Sequence, residues 1–195
     1  MVCQVCHQVS SRWLCSACAE EMRSAPDMVL PGGIRLVAAF EHTGPARTLI
    51  HHLKYRGIVV YADLVASVLA SRLPSVAVVP VPRALSRRWR YGVDPSRVIA
   101  GRLAKRLGVP VWDILVGPLH NPRRAGGDHS RPAPTFRMRR PPGDYVIVVD
   151  DVVTTGATLL SALGAFQPGQ VAAAASANAV AQVSSLPVRY GNRDP

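Results

Sequence analysis

The sequence predicts an α/β fold, a doubly wound and mostly parallel sheet preceded by a small four-cysteine module. Three observations point there. Short runs of β-branched residues alternate with stretches that are apolar at helical spacing. The chain is 48% hydrophobic but only 6% aromatic, so its core is built from Ala, Val, Leu and Ile, which suits strands buried on both faces. All four cysteines lie within the first 18 residues, apart from everything else. A length of 195 residues allows one good core with room for an appendage. We therefore expect a cysteine module over residues 1–25 and a main domain over 34–190. The stretch 24–33, with Pro26, Pro31 and two glycines, reads as a linker.

The cysteines form two Cys-x-x-Cys pairs, Cys3 with Cys6 and Cys15 with Cys18, eight residues apart. Two such knuckles can meet and offer four thiolates tetrahedrally to Zn²⁺, and a structural zinc is the reading we adopt over a redox pair or reduced thiols. His7 stands beside a complete ligand set and is a bystander. A module this small cannot build a core alone, so the metal would itself stabilise it. Arg12 and Trp13 lie between the knuckles, and one aromatic is thin support for base stacking.

In the main domain, 34–40 has strand composition. Residues 45–55 form a helix with Leu49, Ile50 and Leu53 on one side, Pro45 in its first turn and Lys54 near its end. A second helix spans 61–73 and stops at Pro74. Residues 76–81 form a buried strand that empties into a loop at Pro80 and Pro82. The next helix, 98–107, is closed by Gly108 and Pro110. From 117 to 143 the chain is rich in proline and arginine with little periodicity, the signature of a long basic excursion. The strongest strand is 146–149, followed by a helix at 158–166. The mixture of Ala and Val over 171–183 fits either helix or strand. There is no internal repeat.

The chemistry concentrates in Val146-Ile147-Val148-Val149-Asp150-Asp151-Val152-Val153-Thr154-Thr155-Gly156-Ala157-Thr158. Four β-branched residues followed by two aspartates place carboxylates at the carboxyl end of a buried strand, the edge where open α/β sheets bind ligands. Thr154, Thr155, Gly156, Ala157 and Thr158 turn into a helix start, where backbone N–H groups and hydroxyls can hold a phosphate beside the positive helix end. Thr158 is placed to cap that helix. Asp150 and Asp151 would repel a phosphate, so they should face sugar hydroxyls or a Mg²⁺ ion bridging hydroxyls and pyrophosphate. The run resembles the phosphoribosyl-pyrophosphate loop of the type I phosphoribosyltransferases, in which two acidic residues precede Thr-Thr-Gly-x-Thr.

Val79-Pro80-Val81-Pro82 ends the earlier strand, and Arg83, Arg87, Arg88 and Arg90 follow on what reads as a loop before Gly92. Their guanidinium groups suit the paired charges of a pyrophosphate, although arginines on a solvated face look the same. The order of paired cysteines, Leu53-Lys54-Tyr55-Arg56-Gly57, Pro-x-Pro with Arg87 beyond it, and Asp-Asp-Thr-Thr-Gly resembles the ComF family of bacterial phosphoribosyltransferase-like proteins, from Cys3 to about Leu160. By that resemblance Lys54 and Arg87 match family positions, as does Gly92 of an Arg-Gly-Phe-Asn-Gln box. Tyr91, Val93, Asp94 and Pro95 depart from that box, removing one positive charge and two amides. The excursion, with Arg-Ala-Gly-Gly-Asp-His-Ser-Arg-Pro over 124–132, departs as well.

The resemblance implies two functions. One is an enzyme that uses Mg²⁺ and phosphoribosyl pyrophosphate or a nucleotide, and transfers or removes ribose 5-phosphate at a nitrogenous acceptor. In it Asp150 and Asp151 hold the ribose hydroxyls, the 154–158 turn holds the 5-phosphate, and Lys54, Arg83 and Arg87 stabilise departing pyrophosphate. The other is a catalytically impaired protein that binds DNA or single-stranded nucleic acid in DNA uptake, with single-stranded DNA or DNA-uptake proteins as its partners. The formal charge of +11 attracts phosphates in either case. A different α/β nucleotide-binding enzyme ranks last, because neither a Gly-x-x-x-x-Gly-Lys-Ser/Thr loop nor a Gly-x-Gly-x-x-Gly fingerprint accompanies the carboxylates. With no secretory signal and no apolar run of about 18 residues, the expectation is a soluble, cytoplasmic protein.

Overall fold

The computed structural model describes residues 1–119, 134–142, 145–164, 166 and 171–177, the last segment by its backbone except at Ala177. The elements run, in chain order, α1 (Ser16–Glu20), β1 (Met28–Leu30), β2 (Ile34–Glu41), α2 (Gly44–Arg56), α3 (Val60–Ala70), β3 (Val78–Pro80), α4 (Leu85–Tyr91), α5 (Pro95–Leu107), β4 (Leu115–Val116), β5 (Arg137–Met138), β6 (Ile147–Val153), α6 (Ala157–Leu163) and β7 (Val171–Ala177). Five strands form one sheet in the order β1-β2-β7-β6-β3. β2, β7, β6 and β3 are parallel, and β1 adds an antiparallel edge.

Both faces of this sheet are covered, as the β-branched runs require. Alternate residues divide between two cores. Val37, Ala39, Val78, Ile147 and Val149 face one layer with α2, α3 and α5. Leu36, Ala38, Val79, Val146 and Val148 face the other, with Leu159 and Leu163 of α6. The four-cysteine segment packs on the first layer, where Cys3, Leu14 and Cys18 are buried with the helices.

Local chemistry explains the helix limits. Pro45 lies in the first turn of α2, and Gly57 closes it in the left-handed conformation with its N–H on the His52 carbonyl. Asp94 caps α5, its carboxylate accepting from the Arg97 N–H, and Pro95 opens the helix.

Four expectations need correction. Residues 24–33 are more than a linker, since Met28–Leu30 pairs with Ile34–Leu36 across the turn at Gly32 and Gly33. The arginine segment after Pro82 is the helix α4, because nothing there breaks a helix until Gly92, which ends it at φ 69°. Strand β6 does not stop before the aspartates but runs through them to Val153. Thr158 is not the cap of α6; Gly156 occupies that position at φ 76° and the helix starts at Ala157. The ambiguous 171–177 stretch is a strand. Of the basic excursion, β5 pairs with β4, and 120–133 lies outside the described residues, as do 143–144 and the chain beyond 177.

Candidate active site

Parallel pairing sets the site. Pro80 lies opposite Val149 in register, and the Val81 N–H donates to the Val149 carbonyl at 2.8 Å. The loop after β3 and the aspartates of β6 therefore leave the sheet side by side at its carboxyl edge. His42, just past β2, joins that edge by donating its N–H to the Ala177 carbonyl at 2.8 Å. Helix α2, which follows, carries Lys54 back over it.

Together these elements enclose a cleft of about 550 Å³. Lys54, Arg83, Arg87, Asp150, Asp151, Thr154 and Thr158 all line it. Thr154, Thr155, Gly156, Ala157 and Thr158 line a small adjoining hollow with Asp150. Gly156 has two reasons to be glycine: its positive φ, and the approach of Leu30 to within 3.3 Å of where a Cβ would sit. The Thr155 hydroxyl accepts from the Ala157 N–H at 3.4 Å.

The two aspartates differ. Asp150 is buried, 8% exposed, and its Oδ1 accepts from the Ser96 hydroxyl at 3.2 Å and from the Asp151 N–H at 2.8 Å. Burial, then the neighbouring Asp151 charge, push its carboxyl up to about 7, against the pull of the Asp151 N–H, Lys54 and Ser96. Asp151 is half-buried and pairs with the Lys54 ammonium at 2.9 Å. One lysine thus answers two adjacent carboxylates. The pair suits groups that bring compensating charge or protons: a sugar diol donating hydrogen bonds, or a hard divalent cation. Two carboxylates supply only part of a six-coordinate shell, so oxygens of a substrate would have to complete it.

The cations are arranged unequally. Arg83 donates to the carbonyls of Lys54 at 3.0 Å and Val93 at 2.9 Å, and its guanidinium stacks on the rings of Tyr91 and Tyr55 at 4.9 and 5.7 Å. It ties α2 to the loop after α4. Arg87 reaches the cleft wall, while Arg88 and Arg90 are exposed and do not line it. His42 is held below the usual histidine range by burial and by Lys54 and Arg47 nearby.

Sequence reasoning assigned no role to Tyr55, Tyr91, Ser96, His42 or Phe136. Tyr55 lay inside a segment already singled out, so its neighbour Lys54 was a usable signal. Ser96 had none, because only the fold brings it to Asp150, 54 positions away. Asp94, which departs from the family box, serves a different purpose: besides capping α5 it accepts from the Arg83 N–H at 3.1 Å, and burial pushes its carboxyl up.

At the amino terminus the four sulfurs of Cys3, Cys6, Cys15 and Cys18 lie within 4.8 Å of one another, with Cys6 and Cys15 at 3.7 Å. Sulfurs bound tetrahedrally to Zn²⁺ at about 2.3 Å stand roughly 3.8 Å apart, so the donors fit a structural zinc. Burial raises the Cys3 thiol, but N–H groups of Cys15, Cys6 and Val5 outweigh it and bring it to about 6, which favours a thiolate. All four cysteines are free of disulfides.

No protein-family profile matches the chain. It is 30% identical over 201 aligned positions to the DNA utilization protein YhgH of Salmonella typhi, covering 81% of this chain and 87% of that protein. An orotate phosphoribosyltransferase of Novosphingobium aromaticivorans is 31% identical over 116 positions, 55% of this chain and 52% of the enzyme. Among solved structures, orotate phosphoribosyltransferase from Aeropyrum pernix aligns over 79% of this chain and 73% of its own, at 20% identity and a TM-score of 0.32. Among the described residues no helix is long and apolar enough to cross a membrane. With its parallel α/β sheet, its clustered cysteines and a relative of this identity and coverage, the chain belongs to the ComF-type family of type I phosphoribosyltransferase-like proteins.

Proposed function

We propose that the cleft binds phosphoribosyl pyrophosphate with Mg²⁺ and transfers ribose 5-phosphate to, or removes it from, a nitrogenous acceptor. The observation that carries this reading is the convergence of Asp150, Asp151, Lys54 and the 154–158 turn on one cleft at the carboxyl edge of the parallel strands. The turn holds the 5-phosphate through N–H groups and hydroxyls. The aspartates accept from the ribose hydroxyls and stabilise positive charge as the C1–O bond to pyrophosphate breaks. Lys54 leaves Asp151 for the departing pyrophosphate, joined by Arg87, while Arg83, with two donations already on backbone carbonyls, adds its charge from behind. Mg²⁺, bound with the substrate through Asp150 and Asp151, would offset pyrophosphate charge. Zn²⁺ on Cys3, Cys6, Cys15 and Cys18 would be structural.

Calorimetric titration with phosphoribosyl pyrophosphate tests the reading. Saturable, Mg²⁺-dependent binding that Asp150→Asn/Asp151→Asn loses is the expected result, and release of pyrophosphate with a candidate base identifies turnover. A folded, zinc-loaded protein that shows no binding sinks it.

A second reading, a DNA-handling protein in which the sugar-phosphate site no longer turns over, draws on two observations. The relatives aligned over most of the chain are named DNA utilization proteins. Positions 91–95, where the family carries an arginine and two amides, here give a ring set edge to face with Tyr55 and a helix cap.

A further inference from the structure

Helix α2 forms the wall of a second hollow beside the cleft. Gly44, Arg47, Thr48, His51, Lys54 and Tyr55 recur at intervals of three and four, so they share one face of the helix. With His42 and Ile50 they line an open space of about 660 Å³, and none of these described residues is acidic. Burial, then the nearby Lys54 and Arg47 charges, hold His42 below its ordinary range, with Asp151 pulling the other way. The space is therefore positive, and one of its walls is flat. The exposed Tyr55 ring is braced edge to face by Tyr91 at 5.0 Å and flanked by the Arg83 guanidinium.

Position relative to the sugar narrows what this space can take. The cleft shares Asp150, Thr154 and Thr158 with the hollow at the 154–158 turn, and His42, Lys54 and Tyr55 with the hollow on α2. Those two hollows have no lining residue in common. A ribose 5-phosphate anchored at the turn, with its hydroxyls on the aspartates, presents C1 toward the α2 side. Arg87 lines the cleft but not the hollow, so it serves the departing pyrophosphate and leaves the hollow to the group that replaces it. We infer that the α2 hollow is the acceptor subsite and that the acceptor is an acid: a flat nitrogen heterocycle bearing a carboxylate, its ring against Tyr55 and its carboxylate on Arg47 and His51. The ring nitrogen bonds to C1 as the C1–O bond breaks, pyrophosphate leaves with that electron pair, and the nitrogen's proton passes to solvent through the open hollow. An acceptor without the carboxylate gains the ring contact and none of the charge. This inference rests on the phosphoribosyl reading of the cleft and names its acceptor.

Product nucleotides test it without turnover, because each carries the sugar phosphate and the acceptor ring together. Calorimetry of the full chain compares orotidine with uridine 5-monophosphate, and nicotinate mononucleotide with nicotinamide mononucleotide. In at least one pair the carboxylate nucleotide binds roughly tenfold more tightly, and Arg47→Gln lowers it to the affinity of its partner. Arg47 is exposed, so the variant keeps the wild-type melting temperature. Equal affinity within both pairs, lost in Asp150→Asn/Asp151→Asn, overturns the acid subsite and leaves the phosphoribosyl site standing. A carboxylate preference that survives Arg47→Gln overturns the hollow as its location, and no binding of any of the four nucleotides to folded wild type overturns both readings.

Discussion

Two charge clusters in this protein combine aspartates with basic side chains to opposite ends. At the sheet edge, Asp27 of the segment before β1 meets both Arg35 at 2.7 Å and Arg72. Arg72 also donates to the carbonyls of Ala38 at 2.7 Å and Ala25 at 3.1 Å. Although burial works against it, the two arginines hold the Asp27 carboxyl below its usual range. Two cations serve one anion, and the cluster closes on itself. In the cleft the ratio is inverted, with one lysine for two aspartates and the more buried of them pushed up to about 7. A cluster with countercharge in hand fastens chain segments together; one short of it is poised for something that brings positive charge or donated protons.

The contrast can be broken experimentally. The largest effect belongs to the cleft: Asp150→Asn/Asp151→Asn lowers Mg²⁺-dependent affinity for phosphoribosyl pyrophosphate by at least roughly a hundredfold, whereas Asp27→Asn leaves it unchanged in the same calorimetric assay. Equal losses in the two variants would erase the distinction. The four thiols extend it, since they too concentrate donors that a single cation would hold together. Metal analysis should find one zinc per chain, and Cys15→Ser or chelation should lower the melting temperature through the layer in which Cys3, Leu14 and Cys18 pack. An unchanged melting temperature after metal removal would separate the module from the core.

Smaller, and purely structural, is Arg72→Ala. It leaves the Ala25 and Ala38 carbonyls and Asp27 short of donors, so denaturant unfolding should show a loss of about 1–3 kcal/mol, with ligand affinity untouched. The last effect depends on pH. Asp150 in the folded chain keeps its proton up to about pH 7, whereas unfolded it releases it near its ordinary value of 3.8. Between those values the folded state binds more protons, so this group lowers stability as pH rises from about 4 to about 7, with no further change above. Asp150→Asn should raise the melting temperature at pH 8 and leave it unaltered near pH 4. A gain equal at both pH values would mean that the carboxylate charge is not what opposes folding.

Much of this is legible in the sequence alone. Strand 34–40, helix 45–55 and strand 146–149 carry their own periodicity and punctuation, and Asp150, Asp151 and the Thr154–Thr158 turn announce themselves as one contiguous run. Local signals failed where the deciding contact was distant. Nothing in Ala-rich 171–177 favours a strand; it becomes one because β2 and β6 flank it on both sides. Arg83 looked like any other arginine of its segment until Lys54 and Val93 supplied carbonyls and Tyr55 and Tyr91 supplied rings. Thr158 seemed a cap because hydroxyls commonly cap helices, but Gly156 could take the left-handed backbone that the turn against Leu30 demands.

By itself, then, the sequence determined the layered α/β architecture, the four-cysteine cluster and the identity of the acidic and hydroxyl-bearing residues that line the cleft, because spacing along the chain dictates periodicity, knuckles and turns. Only the tertiary structure decided how those residues are charged and partnered. The buried state of Asp150, its bond from Ser96, the single lysine shared between two aspartates and the meeting of α2 with α4 at Tyr55 and Tyr91 all join positions far apart in sequence. Desolvation and Coulomb interaction depend on distance in space, and the chain acquires those distances only when the sheet closes.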